Sequence, residues 1–464
     1  MFSFGENTLG YLSRLNLKQI HNLVRPAVKH IEPGISLNPT FSNQDFWLKL
    51  DNAAKIYPAV QSAELTSVFR LTAVLKAPVR VTPFLRVVKS ITRRFPYYKM
   101  KLHKGFFWYY LQYTDEKLEA SPDAGVPCRS FEKHDLLFRI LVRGQAISVE
   151  FSHILADGAA AFEFLKTLLM AYFEACGLSI GRHETAYHSI SDEPVPEEYE
   201  DAFSKYVQIN LPSPLKIPRA FHLPFALRSM PRFRVMSFLI RLPELSAQAK
   251  KHNTTITVYL VAVYLFALQR LYNKLPSGRR GARKILRIQV PVNLRRIYPS
   301  KTMRNFSLFV RPEIDLRLGQ YSFEEIVKTV HHHMALETDK KLINKIISRN
   351  VGAERNLLLR NTPLFIKSLI LNFTYHIAGT SRYSGVITNL GRASLGPSAD
   401  GLIDHFRFIA PPPNKALKVN CGVIGFGDTL VLSFGNITQS TALEMEYVSI
   451  LTAERMHIRY LAHL

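Results

Sequence analysis

Cysteine is scarce in this chain of 464 residues, and its placement excludes several kinds of site. The three cysteines, Cys128, Cys176 and Cys421, are odd in number and far apart. None lies in a Cys-x-x-Cys pair, the spacing that binds zinc or exchanges disulfides. Three successive histidines, residues 331–333, point about 100 degrees apart on a helix and cannot converge on one ion. We expect no metal site and a reducing compartment such as the cytoplasm.

Several other signatures are also missing. Residues 1–7 lack the basic start of a secretory signal, and no run reaches the ~18 uninterrupted apolar residues of a membrane span. There is no glycine-rich phosphate loop, no Gly-x-Ser-x-Gly nucleophile elbow and no zinc-finger spacing. These absences favour a cytoplasmic protein with no specific nucleic-acid partner.

Acidic residues are few relative to basic ones. The chain has 36 Asp and Glu residues and 60 Lys and Arg residues, which gives a net charge of +24. Such an excess favours anionic partners, for example the phosphates of a cofactor or an acidic membrane. Apolar and basic positions in residues 9–31 suit an anionic bilayer surface, but Pro26 interrupts them and favours a packed surface helix. Peripheral membrane contact stays open as an alternative.

The most informative stretch joins a predicted strand to a predicted helix. Residues 146–151 alternate apolar and polar side chains, the pattern of a half-buried strand. Residues 159–176 have the spacing of an amphipathic helix that Gly177 ends. The connection places His153 at the end of the strand and Asp157 just before the helix. An imidazole held by a sheet in this way can be aimed into a cleft.

A histidine and an aspartate four positions apart can act together. Neutral imidazole accepts a proton near neutral pH, and a nearby carboxylate can brace its surroundings. Two simpler interpretations compete. His153 could be an ordinary residue at a strand end, and Asp157 could simply cap the following helix.

Ser152-His153-Ile-Leu-Ala-Asp157-Gly158 resembles the His-His-x-x-x-Asp-Gly signature of the CoA-dependent acyltransferase superfamily. That superfamily includes chloramphenicol acetyltransferase, alcohol acetyltransferases and the condensation domains of peptide synthetases. Ser152 replaces the first histidine, whereas the chemistry of the family uses the second. Three other stretches are similar to the superfamily: Leu-Asp-Asn-Ala-Ala-Lys-Ile-Tyr-Pro at 50–58, Pro-Val-Asn-Leu-Arg-Arg at 291–296 with Arg-Asn-Phe at 304–306, and Val-Ile-Thr-Asn-Leu-Gly at 386–391. The stretch at 50–58 looks like the start of bacterial alcohol acetyltransferase-like members.

The resemblance implies a fold and a reaction. The fold is an α/β structure of two similar chloramphenicol-acetyltransferase-like halves, with mixed sheets and a tunnel between them. The reaction moves an acyl group, acetyl or longer, from acyl-CoA to the hydroxyl of a small-molecule alcohol. Acyl-CoA would be a co-substrate, and no cofactor would stay bound.

Roles for individual residues also follow from the resemblance. His153 would be the general base in a catalytic motif with Asp157 and Gly158, and Asp157 would form a structural pair with Arg295. The oxyanion would be met by the Gly158 amide and by Thr388 or Asn389. Substrate or oxyanion contacts would further involve Asn305.

The predicted organisation has four parts. Residues 1–45 form an N-terminal extension and residues 46–190 the half that carries the motif. The crossover spans residues 191–243, where prolines break any regular pattern. Residues 244–464 form the C-terminal half. Within these parts we predict a core strand over residues 108–113 and a long apolar helix that Asn253 or Thr254 caps.

Two other classes of function stay open. A condensing enzyme that takes its donor from a carrier protein would use the same histidine to make an amide. A non-catalytic protein could have kept the fold and could bind membrane or polyanion through its basic surface. The sequence indicates neither the acceptor, the acyl length nor the oligomeric state.

Overall fold

The computed structural model describes residues 46–62, 65–179, 188–208, 217–355, 360–374 and 380–462. The predicted N-terminal extension, with its segment 9–31, lies outside the described residues. The strands are β1 (Trp47–Lys49), β2 (Val68–Leu75), β3 (Met100–Lys104), β4 (Tyr109–Tyr113), β5 (Ala120–Pro122), β6 (Phe138–Arg143), β7 (Ala146–Ser152), β8 (Arg234–Arg241), β9 (Ile285–Asn293), β10 (Ser307–Val310), β11 (Glu313–Asp315), β12 (Gly385–Ala393), β13 (Ile403–Ile409), β14 (Val419–Phe426), β15 (Thr429–Asn436) and β16 (Ile458–Leu461).

Helices alternate with these strands. The α-helices are α1 (Tyr57–Val60), α2 (Val81–Arg94), α3 (Gly158–Ala175), α4 (Ala202–Lys205), α5 (Leu242–Lys251), α6 (Ile256–Lys274), α7 (Ser277–Arg280), α8 (Phe323–Glu337), α9 (Lys340–Arg355), α10 (Leu364–Thr374), α11 (Pro397–Asp400) and α12 (Ala442–Ala453). Short 3₁₀ turns lie at Ala54–Ile56, Pro96–Tyr98, Pro196–Glu198, Leu294–Arg296 and Thr380–Arg382.

Three sheets organise the described residues. The first has five strands in the order β13-β2-β7-β6-β5. The second has eight, in the order β10-β9-β12-β14-β15-β8-β16, with β11 paired to β9. The third is small, with the order β1-β4-β3. Parallel and antiparallel pairs occur together in the first two, since β5 runs parallel to β6 and β12 runs parallel to β14. The predicted α/β class with mixed sheets is therefore confirmed.

The first sheet carries the sequence motif. Strand β7 is buried along its whole length and pairs with β2 on one side and β6 on the other. Gly144, at φ 56°, makes the tight β6–β7 turn, a conformation that glycine adopts without steric cost. Helices α2 and α3 pack together, with the Phe84 and Tyr172 rings edge to face at 5.8 Å. The motif thus leaves a rigid, covered strand.

The second sheet is built around helix α6. Its N-cap is Thr255, whose hydroxyl accepts from Val258 N–H at 3.3 Å, so the prediction of Asn253 or Thr254 as the cap is wrong by one or two residues. Helix α6 has the length and apolar composition of a membrane span, but 72% of that window is buried inside the protein. The Tyr447 hydroxyl on α12 donates to the Leu260 carbonyl at 2.9 Å. Helix α6 therefore occupies the position of a core helix.

One strand from the second part of the chain belongs to the first sheet. Strand β13 follows β12 and precedes β14 in sequence, yet it pairs antiparallel with β2 at the edge of the first sheet. Where β13 crosses β14, a Cβ added to Gly422 would lie 2.3 Å from the Phe408 carbonyl oxygen. Only glycine permits this approach. The crossing binds the second part of the chain to the sheet that carries His153.

Two local predictions are wrong. Prolines do not exclude regular structure from all of residues 191–243, because β8 (Arg234–Arg241) lies between β15 and β16 in the second sheet. This run contains no proline and is rich in β-forming side chains. Residues 109–113 form a strand, but only Leu111 in it is buried, because β4 belongs to the small third sheet and not to either of the large sheets that enclose the core. The domain boundaries themselves remain a prediction.

Candidate active site

His153 is fixed by the end of strand β7 and by its neighbour β2. Its backbone N–H donates to the Ser67 carbonyl at 2.9 Å. Ser152 is fully buried, and its hydroxyl accepts from the Ile154 N–H at 3.2 Å. Ser152 therefore stabilises the turn after the strand and lies beneath the surface, whereas His153 is partly exposed.

Two aromatic rings flank the imidazole of His153. The Tyr57 ring on α1 stacks on it at 5.3 Å and 13°, and Phe69 on β2 lies at 4.7 Å and 46°. Burial lowers the pKa of His153 below its usual value, and the hydrogen bond to Asn305, the charge of Asp157 and the Ala156 backbone oppose that effect in part. The neutral ring therefore predominates at pH 7.

Asn305 identifies the protonated nitrogen of this ring. The Asn305 side-chain amide donates from Nδ2 to the His153 carbonyl at 2.9 Å and to Asp51 Oδ2 at 3.0 Å. Both partners are acceptors, so the orientation of the amide is fixed. Its Oδ1 then faces His153 Nδ1 at 3.4 Å. An acceptor in this position favours the hydrogen on Nδ1 and leaves the Nε2 lone pair to accept a proton.

Asp51 lies behind Asn305 and is fully buried. Its Oδ1 accepts from the Ala54 N–H at 2.8 Å, and Arg304 Nε lies 3.7 Å from its Oδ2. Burial raises the pKa of Asp51 to about 6, although the charge of Arg304 opposes the rise. Asp51, Asn305 and His153 thus form one chain of contacts that orients the imidazole.

Asp157 joins three elements and does not face His153 Nδ1. Its Oδ1 accepts from the Ala160 N–H at 3.0 Å and caps helix α3. Its Oδ2 accepts from the Phe306 N–H at 2.8 Å and from Arg295 Nη1 at 2.8 Å. Both the capping role and the ion pair therefore occur together. Burial alone would raise the pKa of Asp157, but the Arg295 charge and these hydrogen bonds hold it below the usual value.

Arg295 is itself held on several sides. It lies on the 3₁₀ turn Leu294–Arg296, which Asn293 caps through its Oδ1. Arg295 Nε donates to the Thr302 carbonyl at 2.8 Å, and Nη2 donates to the Arg304 carbonyl. The guanidinium therefore fixes the loop that carries Asn305 against the loop that carries His153.

Strand β12 passes next to the start of helix α3. A Cβ added to Gly158 would lie 3.0 Å from Leu390 Cδ2, so Leu390 packs directly over this glycine. Thr388 and Asn389 precede Leu390 on β12 and are half-buried. The Asn389 side chain donates to Thr257 Oγ1 at 2.9 Å and accepts from the Gly391 N–H at 2.8 Å. These bonds engage Oδ1 and one hydrogen of Nδ2 and hold the Asn389 side chain in place, so Thr388 is the less committed candidate donor on this strand.

The structure brings some of the predicted site residues into contact with one another and leaves others apart. His153, Asn305, Asp157 and Arg295 form one connected set, and Gly158 adjoins it. Thr388 and Asn389 lie on strand β12 beside this set, and the Asn389 side chain contacts Thr257 and Gly391 instead of the imidazole. Sequence reasoning missed the roles of Asp51, Tyr57 and Phe69. The 50–58 stretch that carried part of the resemblance already held two of these three residues.

Comparisons with known proteins agree on the fold. No family model matches the sequence, and no curated protein matches it significantly. Polyketide synthase associated protein 5 from Mycobacterium tuberculosis is 13% identical over 87% of this chain and 96% of its own, with a TM-score of 0.58. TRI101 from Fusarium graminearum, solved with coenzyme A and T-2 mycotoxin, is 10% identical over 90% of this chain and 100% of its own, with a TM-score of 0.56.

A third similar structure is a wax ester synthase/diacylglycerol acyltransferase from Marinobacter aquaeolei. It is 13% identical over 88% of this chain and 100% of its own, with a TM-score of 0.51. Condensation and epimerization domains are also among the similar structures. The chain therefore has the two-lobed, chloramphenicol-acetyltransferase-like fold of acyltransferases and condensation domains, as the sequence resemblance predicted. Identities this low establish the fold alone.

Proposed function

We propose that the protein is an acyltransferase that moves an acyl group from acyl-CoA to the hydroxyl of a small-molecule acceptor. The observation that carries the proposal is the contact between Asn305 Oδ1 and His153 Nδ1. It sets the tautomer in which Nε2 is the base. The similar structures of this fold include acyltransferases, and one of them was solved with coenzyme A.

The proposed reaction has two stages, and each moves one proton. In the first stage the acceptor hydroxyl attacks the thioester carbonyl, a C–O bond forms, and His153 Nε2 takes the hydroxyl proton. A tetrahedral oxyanion results, for which the Gly158 amide and the Thr388 hydroxyl are the candidate donors. In the second stage the C–S bond breaks, and imidazolium returns the proton to the leaving thiolate. The ester and free thiol leave, and neutral His153 is restored.

The remaining residues of the site are positioning residues in this proposal. Asn305 and Asp51 hold the ring, and Asp157 with Arg295 holds the two loops together. Asn305 belongs with these residues in the proposal, because its amide donates to His153 and Asp51 and the residue is 2% exposed. We therefore assign it to orientation of the base instead of direct substrate contact.

The test is a panel of donors and acceptors incubated with purified protein. The donors are acetyl-CoA, longer acyl-CoAs and a carrier-bound acyl thioester, and the acceptors are alcohols, amines and thiols. Free thiol release and product mass are followed together. We expect thiol release matched by an ester. An amide formed only from the carrier-bound donor would favour a condensing enzyme, and no thiol release from any thioester would favour a non-catalytic binding protein.

The location of the protein and its membrane contact belong to the same set of proposals. A cytoplasmic protein would meet acyl-CoA directly, and a net charge of +24 would favour the phosphates of that donor. Partition between soluble and membrane fractions, measured with the full chain, tests this part separately.

A further inference from the structure

Helix α10 (Leu364–Thr374) presents large apolar side chains to solvent. Leu369 is 72% exposed and Phe373 is 67% exposed. The exposed positions recur along one side of the helix. Phe106 adjoins them, because its carbonyl accepts from the Leu364 N–H at 2.9 Å and it is itself 71% exposed. We call this set the apolar face: Phe106, Phe365, Ile366, Leu369, Ile370 and Phe373.

The opposite side of α10 is firmly attached, so its orientation is set by contacts. Lys367 is buried, and its Nζ donates to the Phe107 carbonyl at 3.0 Å and the Arg360 carbonyl at 3.1 Å. The same Nζ lies 3.7 Å from the centre of the Trp108 ring. A buried ammonium needs such partners, because desolvation without them is costly. Turning the helix to bury its apolar side would expose these bonds and break them.

The apolar face lies close to the candidate active site. Asn372 Nδ2 on α10 donates to the Ala59 carbonyl on α1 at 3.2 Å. Tyr57 on the same short helix stacks on His153 at 5.3 Å. One helix of four residues therefore separates the apolar face from the imidazole.

The two sequence segments that contribute the apolar face carry charges of one sign. The sequence has no Asp or Glu from residue 355 to 399, nor from 99 to 114. Lys104 and Arg360 are exposed on the two segments that meet at the start of α10. Apolar side chains with cations beside them match the interface of an anionic bilayer. There the acyl chains contact the apolar side chains and the anionic headgroups contact the cations.

We propose that the apolar face docks the protein on the surface of an anionic lipid bilayer. Docking there would place the helix that carries Tyr57 next to the lipid, so that a membrane-dissolved substrate could reach His153. The second statement rests on the proposed acyl transfer, whereas docking itself does not.

The test measures binding of the full chain to vesicles by flotation. Vesicles of pure phosphatidylcholine are compared with vesicles that contain one quarter phosphatidylglycerol. We expect preference for the anionic vesicles and weaker binding as salt rises, because salt screens the cations. Leu369→Ser with Phe373→Ser should lower the partition coefficient about ten- to a hundred-fold, as expected for two partly buried apolar side chains.

Leu318→Ser with Leu336→Ser is the matched control. Both positions are highly exposed and lie outside α10 and the apolar face, so this variant should bind vesicles as the wild type does. Equal binding by the wild type and the Leu369/Phe373 variant would overturn the proposal. Failure of the wild type to bind anionic vesicles, or a self-association that the Leu369/Phe373 variant abolishes without a change in vesicle binding, would also overturn it.

Two further readouts separate the remaining outcomes. Hydrogen exchange of the peptide that spans 364–374 should slow on addition of anionic vesicles. If anionic vesicles bind the protein without slowing exchange in this peptide, the helix is not the docking element and the proposal fails. Thiol release with a water-soluble acceptor should be equal in the wild type and in both double variants. This assay reports on the proposed reaction alone, so its failure is distinguishable from failure to dock.

Discussion

Removal of the Asp157 carboxylate should lower the free energy of unfolding, because the protein loses three contacts of this side chain. Asp157→Ala deletes the cap on Ala160 N–H, the bond from Phe306 N–H and the pair with Arg295. The cap alone contributes about 1 kcal/mol. The Arg295 side chain is 16% exposed, and a buried charge that loses its partner costs about 3 to 5 kcal/mol. We expect a loss of about 4 kcal/mol in the free energy of unfolding.

A double-mutant cycle in chemical denaturation separates the ion pair from the other contacts. Asp157→Ala, Arg295→Ala and the double variant should show a coupling of about 2 kcal/mol, since residues in direct contact are not additive. Ser322→Ala is the matched control, because Ser322 caps helix α8 through a capping box and has no arginine partner. It should cost about 1 kcal/mol. Additive losses for Asp157 and Arg295 would refute the account of this pair.

The stabilising effect of Asp157 should also depend on pH with a defined sign. Its pKa is lowered in the folded protein, so its contribution is present above its unfolded value of about 3.9 and is lost as pH falls through the folded value. The difference in unfolding free energy between the wild type and Asp157→Asn should be constant from about pH 6 to 8 and should shrink below about pH 4. A difference that persists undiminished in acid would contradict the assignment.

Three further predictions follow from the same contacts. Asp51→Asn should lower kcat about ten- to a hundred-fold with little change in KM. The new amide group turns the Asn305 side chain, and the turned side chain reverses the tautomer of His153. An unchanged kcat would show that Asp51 and Asn305 do not orient the imidazole. Burial raises the pKa of Asp51 to about 6. Ionisation of this carboxylate therefore lowers the free energy of unfolding by up to about 3 kcal/mol as pH rises through 6. Asp51→Asn should flatten the dependence of that free energy on pH between about 4 and 7. Gly422→Ala should cost about 2 kcal/mol or more, since the Phe408 carbonyl must move, whereas Gly278→Ala, with open space around it, should be nearly neutral in the same denaturation assay.

The local structure around the motif was predictable because neighbouring residues determine it. Alternation in 146–151 and helical spacing after Gly158 gave β7 and α3 nearly to the residue. The capping box that Ser322 forms with Glu325 at the start of helix α8 is local in the same sense, because its two residues are three positions apart. The contact between Asp157 and Arg295 spans 138 residues, and it was expected only because the resemblance implied it.

Other features depend on contacts that no local pattern contains. Nothing in residues 403–409 indicates that they leave the second sheet and pair with β2, because the same β-rich run would fit either sheet. The role of Asn305 depends on which acceptors surround its amide, and these come from Asp51 and His153. The exposed side of α10 was not predictable either, since a predominantly apolar segment of eleven residues has the composition of a core helix.

The measurement that tests the central claim most directly is the rate of His153→Ala with an authenticated acceptor. The protein should fold and bind acyl-CoA as the wild type does, because the ring lies between Tyr57 and Phe69 at a partly exposed position. A general base contributes about a hundred- to ten-thousand-fold, so thiol release should fall on that scale, whereas Ser152→Ala should change it far less. The wild-type rate should itself fall with acid only below about pH 6.5, because burial lowers the pKa of His153. If His153→Ala keeps the wild-type rate, His153 is not the base and the proposed mechanism is wrong.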